Sequence, residues 1–142
     1  MDLATARALT SADGERALAT AARFSDPSSL AAGTQLRRQF PADLAAAALE
    51  QIVLRRRVRT RVGDQADQML WTPESAEQAT RREVAHWRAA RLAAAGVRQV
   101  IDLTVGAGAD ARAFLDAGLG VLAVERDPAT ALLAAHNLPG VR

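Results

Sequence analysis

The chain contains no cysteine, no lysine and no tyrosine among its 142 residues. Without cysteine, disulfide scaffolds, thiolate zinc sites and a cysteine nucleophile are excluded. Aromatic residues make up only 4%. Roughly a quarter of the chain is alanine, which packs closely but buries little area per residue. No apolar run approaches the length of about 20 residues needed to cross a bilayer. Asp2 and Arg7 stand where a secretion signal would need an apolar core, so a cytoplasmic protein with no membrane partner is expected. The hydrophobic fraction of 49% is enough for a core and excludes wholesale disorder.

The missing lysine also explains the isoelectric point. A value near 10.8 accompanies a net charge of only +2, because almost nothing titrates between the two histidines and the 18 arginines. The distribution of charge carries more information. Between Arg37 and Arg61 seven arginines face two acids, Asp43 and Glu50, and five of the seven fall in Arg55–Arg61. A run of this kind is either a solvated helix face or a nucleic-acid contact. His86 and His136 lack companions at ligand spacing, so no metal site is expected.

Two textures divide the chain. Residues 1–95 read as helices, with Ser11 and Ser25–Ser29 supplying cap and loop chemistry. Pro41 opens a long helix over about 41–61 that Gly63 ends. A short helix over 64–70 follows, and then one helix from Trp71 to about Ala95, with Ala76, Ala79, Val84, Trp87 and Leu92 on its apolar side and both tryptophans in the core. From Gly96 the pattern changes to strand 97–103, helix, strand 121–124 and a last helix that begins at Pro128. The expected fold is therefore α/β. A helical N-terminal region (1–95) precedes the first β-α-β-α units of an incomplete Rossmann-like sheet (96–142). Because a third strand is expected soon after Pro139, the chain reads as the N-terminal part of a longer enzyme.

The chemistry concentrates in Asp102-Leu103-Thr104-Val105-Gly106-Ala107-Gly108. A strand ends in a carboxylate, and a small-residue turn leads into a helix whose first N–H groups are free. Asp110, just inside that helix, favours its N-terminus electrostatically. Glu125 closes the second strand, where a carboxylate accepts both hydroxyls of a ribose. Asp102 to Gly108 and Glu125 resemble the first two motifs of the class I S-adenosylmethionine-dependent methyltransferases. Thr104 stands where that family commonly has its first glycine, a departure shared by trimethylguanosine-synthase-like enzymes. Leu70–Pro73, Glu77–Arg81 and Val84–Ala89 are similar to a bacterial branch with a helical N-terminal region and a THUMP-like segment farther along.

The resemblance implies S-adenosylmethionine as cofactor, bound by Asp102, Thr104, Gly106, Gly108 and Glu125, with Glu125 on the ribose. It implies methyl transfer to RNA or another nucleic acid. The family's catalytic Asn/Asp-Pro-Pro motif would follow a fourth strand, so no catalytic residue is assigned. Two other readings stand beside it. Gly106, Gly108 and Ala111 satisfy the G-x-G-x-x-A spelling of a nicotinamide-dinucleotide oxidoreductase, although Asp102 would sit against its pyrophosphate. A non-catalytic helical RNA-binding or interaction module would use Arg55–Arg61. The oligomeric state is not legible.

Overall fold

The computed structural model describes residues 1–141. Eight helices dominate them. Helix α1 (Leu3–Leu9), α2 (Ala12–Ala21) and α3 (Leu30–Arg37) lead into the long α4 (Ala42–Val62). A 3-10 turn (Gly63–Gln68), α5 (Pro73–Gln78) and α6 (Arg82–Ala94) follow. Strand β1 (Gln99–Asp102), α7 (Ala109–Asp116), β2 (Gly120–Ala123) and α8 (Pro128–Asn137) complete the order. None of these helices is long and apolar enough to cross a membrane.

This corrects the expected fold class. The chain is mostly helical, and its only sheet among the described residues is one parallel pair of four-residue strands. No Rossmann-like sheet is present. The shortening has local causes. Val97 still belongs to the end of α6, its N–H donating to the Leu92 carbonyl. At the other end Thr104 N–H donates to Asp102 Oδ1 (3.1 Å), which turns the chain out of β1. Two strands this short cannot form the two-sided core of a doubly wound sheet.

The helix starts follow capping chemistry. The side chains of Asp2, Ser11 and Ser29 accept from backbone N–H groups one turn on, and so open α1, α2 and α3. Asp127 does the same for α8, and the Thr130 N–H it accepts holds its carboxyl below the usual carboxylate range. Gly63, at φ 72°, stops α4 one residue beyond Val62. The helix expected over Trp71–Ala95 is two helices. Ala79 leaves helical geometry at ψ 126°, so α5 and α6 are separate and Thr80 lies in the bend. The expected apolar side holds only in part: Ala76, Ala79 and Leu92 pack against the cores, but Val84 and Trp87 do not. Ala85 and Ala89 face the core, while Val84 (43%) and Trp87 (61%) are exposed. The Arg91 guanidinium lies 5.1 Å from the centre of the Trp87 ring.

Packing runs along α4. Its first half buries Leu44, Ala48 and Ile52 against α1–α3, and Leu133 of α8 joins the same core. Its second half buries Leu54, Val58 and Val62 against Trp71, Ala76 and Ala107. A third core joins Ala85, Ala89, Phe114, Val121 and Leu138. Two buried amides tie these cores together. Gln51 donates to the Trp71 carbonyl (2.7 Å) and accepts from its N–H (2.9 Å). Asn137 accepts from Leu70 N–H (2.7 Å) and donates to the carbonyls of Leu70 and Ala107 (both 2.9 Å). Successive residues of an extended segment point opposite ways, so Leu70–Trp71 is gripped from two sides.

The arginine run is engaged by partners within the chain, mostly at its surface. Arg55 donates to the Met69 carbonyl, and burial lowers its pKa. Arg56 donates to the carbonyls of Phe24 and Ser25. Arg57 pairs with Glu77, and Arg59 with both Asp64 and Asp67. Arg61 donates to the Glu77 carbonyl. Asn137→Leu, similar in volume but without an amide, is expected to destabilise the chain by about 3 kcal/mol, since it strands buried backbone groups of Leu70 and Ala107. Urea unfolding measures this, and a change below about 1 kcal/mol would show that the clamp is dispensable.

Candidate functional site

The turn between β1 and α7 is built by its own backbone and by carboxylates. Val105 N–H donates to the Val124 carbonyl, and Gly108 N–H to the Val105 carbonyl. Thr104 N–H donates to Asp102 Oδ1, and Gly106 N–H donates to Glu125 Oε2 (3.2 Å). The other Glu125 oxygen accepts from Asp127 N–H (3.0 Å). The carboxylate that closes β2 is therefore fixed against the turn that follows β1.

The two turn glycines serve different ends. Gly106 has φ 55°, and a Cβ there would meet only the Thr104 carbonyl, at 4.0 Å. Gly108 has φ 95°, and a Cβ there would lie 2.6 Å from Leu138 Cδ1. Gly108 is thus buried beneath the turn and lets α8 approach it.

Three depressions adjoin this turn. The first, of about 230 Å³, lies between the turn and the segment from Trp71 to Thr80. Ser75, Gln78, Thr80, Thr104, Gly106 and Asp110 give it polar walls. Thr80 sits at the break between α5 and α6 and donates to Asp110 Oδ2 (2.7 Å). Arg88 Nη1 approaches Asp110 Oδ1 at 3.0 Å as an ion pair, off the axis of a hydrogen bond. The second depression, about 100 Å³, is mostly apolar and combines Ala123, Glu125, Ala134 and Leu138. The third, about 420 Å³, contains Asp102, Arg88 and Phe114.

The residues singled out from the sequence thus surround one turn without sharing one cavity. Thr104 and Gly106 line the first depression. Glu125 lines the second, and Asp102 the third, which meets the first at Thr104, Val105 and Asp110. Gly108 lines none of the three. Sequence reasoning read Asp110 only as a helix-end charge, yet its carboxylate is a wall of two depressions. No signal in the sequence pairs it with Thr80, thirty positions away. Thr72 and Ser75 cap each other reciprocally at the start of α5, so Thr72 is structural, while Gln78 borders the cleft. No cluster of three or more potential metal ligands occurs among the described residues.

A family profile described as a domain of unknown function (DUF8688) matches residues 2–58. The match spans α1, α2, α3 and most of α4, and contains none of the residues around the turn. No curated protein and no solved structure matches the chain.

Gly108→Ala is expected to cost about 3 kcal/mol, adding left-handed strain to the collision with Leu138. Gly106→Ala carries only the strain, about 1 kcal/mol. Chemical denaturation of the two variants side by side tests this. Equal costs would mean that the contact between turn and α8 is not tight.

Proposed function

We propose that the turn at Thr104–Gly108 and its neighbouring depressions bind S-adenosylmethionine for methyl transfer. The observation that carries this reading is electrostatic. Asp102 and Glu125 flank the turn with no ion-pair partner among the described residues, Asp110 beside them is paired with Arg88, and the N–H groups of Thr104, Val105, Gly106 and Gly108 already donate within the fold. A pyrophosphate needs the opposite arrangement, free N–H groups and no adjacent carboxylates. That argues against the dinucleotide oxidoreductase. A ligand with a sulfonium and an ammonium group, a ribose diol and an apolar base suits a turn of this charge.

The residues present fit that ligand part by part. Both Glu125 oxygens accept one backbone N–H, and a carboxylate has about four lone-pair sites, so two remain for the ribose hydroxyls. The apolar depression beside Glu125 suits a base. The polar cleft offers hydroxyl, amide and carboxylate groups to an amino-acid tail. At about 230 Å³ it is smaller than a typical whole-ligand pocket, roughly 300–1,000 Å³, which favours a ligand extended over two depressions. When bound, the cofactor supplies an electrophilic methyl group. The chain's part is to orient it and to surround the positive charge.

The acceptor class, RNA or another nucleic acid, and the cytoplasmic setting rest on the resemblance alone. The Arg55–Arg61 run lends the nucleic-acid reading no weight, because all five of its arginines are engaged within the chain.

Titration calorimetry with S-adenosylmethionine tests the proposal. Glu125→Ala is expected to weaken binding by about 1.5–3 kcal/mol, the range for hydrogen bonds to a charged group. Glu125→Gln, which keeps one acceptor oxygen, should fall between it and the parent. Circular dichroism checks that each variant folds. An unchanged affinity in Glu125→Ala would remove this residue from the site, and tighter binding of NADH than of S-adenosylmethionine would overturn the reading.

A further inference from the structure

A groove of about 1060 Å³ runs between α1 and the first half of α4, wholly inside the segment matched by the family profile. Its rim carries Asp2, Asp13, Asp43 and Glu50, and no lysine or arginine lines it. Ala8, Leu44 and Ala47 make the floor. Small floor residues let another backbone come close, and α4 from Pro41 to Glu50 offers a wall of roughly 14 Å at 1.5 Å per residue. The negative charge is only partly offset. Arg16 pairs with Asp13 at 2.6 Å, and the α-amino group lies near Asp2. Asp43 and Glu50 form no ion pair among the described residues.

The opposite surface exists on the same chain. Val84, Trp87 and Arg91, at spacings of three and four, project from one side of α6. The tryptophan is 61% exposed beneath the Arg91 guanidinium. Arg91 makes this ridge positive, with Glu83 at its margin, while Arg88 beside it is committed to the Asp110 carboxylate. Tryptophan and arginine are both among the residue types enriched at binding hot spots. Charge of opposite sign on the two surfaces selects and steers their encounter.

We propose that the α6 ridge of one copy docks in the acidic groove of a second copy. The contact uses two different surfaces, so it is heterologous, and a pair of copies retains one free groove and one free ridge. Assembly therefore runs head to tail, with Trp87 set on the alanine floor and Arg91 against the rim carboxylates. High salt weakens it by screening the rim charges.

Sedimentation velocity of the whole chain, from low micromolar to submillimolar concentration and at low and high salt, tests this. Self-association is expected at low salt. It should weaken by about tenfold or more in Arg91→Glu and in the double variant Asp43→Arg/Glu50→Arg, equivalent to about 1.4 kcal/mol. Every altered side chain is exposed, so folding is expected to be retained, and circular dichroism verifies it. Mixing the two variants is the decisive arm. Each intact surface then meets an intact partner, and the reversed ridge meets a reversed groove, so association should return. A monomer at every concentration would overturn the proposal. So would association that survives both variants but is abolished by Leu103→Glu, which would place the contact on the exposed side of the sheet.

Discussion

The carboxamide of Asn137 joins parts of the chain that nothing else joins so directly. It holds both backbone groups of Leu70 and the carbonyl of Ala107, sixty-seven and thirty positions away. Gln51 grips Trp71 from the other side. Each amide presents a donor and an acceptor in the geometry of a neighbouring strand, so a two-residue extended segment is satisfied without a sheet. Buried polar groups cost free energy unless they are paired. The segment is therefore stable only while α4 and α8 hold their amides in place. Through Ala107, that condition extends to the turn on which the candidate site is built.

Arginine plays the same part at the surface. Its forked guanidinium can bind two acceptors at once, and the chain uses it to close the ends of loops. Arg56 spans two carbonyls after α2, and Arg59 spans two carboxylates on the 3-10 turn. Exposed pairs of this kind contribute only about 0–1 kcal/mol each. Their effect is on position more than on stability: they fix the connections that follow α2 and α4. In a chain with no lysine, the sequence count of cations consequently overstates the free positive surface.

Local chemistry was the legible part. The serine caps, the start of α4 near Pro41 and its stop at Gly63 depend on neighbouring residues, and they could be read from them. What depended on distant partners was not legible. The break at Ala79–Arg81 coincides with the hydrogen bond from Thr80 to Asp110, and no periodicity shows it. The side of α6 that is buried was misjudged for a related reason. Ala85 and Ala89 make most of its buried face, with Leu92 beside them, so Val84 and Trp87, which weigh heavily in a pattern, lie outside. The expected sheet failed because strand-forming residues such as Val97 and Leu103 lie beyond the paired stretches. The site was legible as a turn with carboxylates at both strand ends, but its division into three depressions was not.

Structural and ligand-facing roles are separated at that turn, residue by residue. Gly108 has no room for a side chain beneath Leu138 and meets no depression. Gly106 has open space where a side chain would begin, and its N–H holds Glu125. A ligand that bonds to Glu125 does not need to displace Gly106, because the carboxylate has acceptor sites left. The turn is therefore organised before anything binds, and little of the binding energy goes to ordering it. The small volume of each depression then has a different consequence. For the proposed cofactor, affinity would come from several modest contacts spread along an extended ligand, each dependent on the register between α8 and the turn that the Asn137 amide sets.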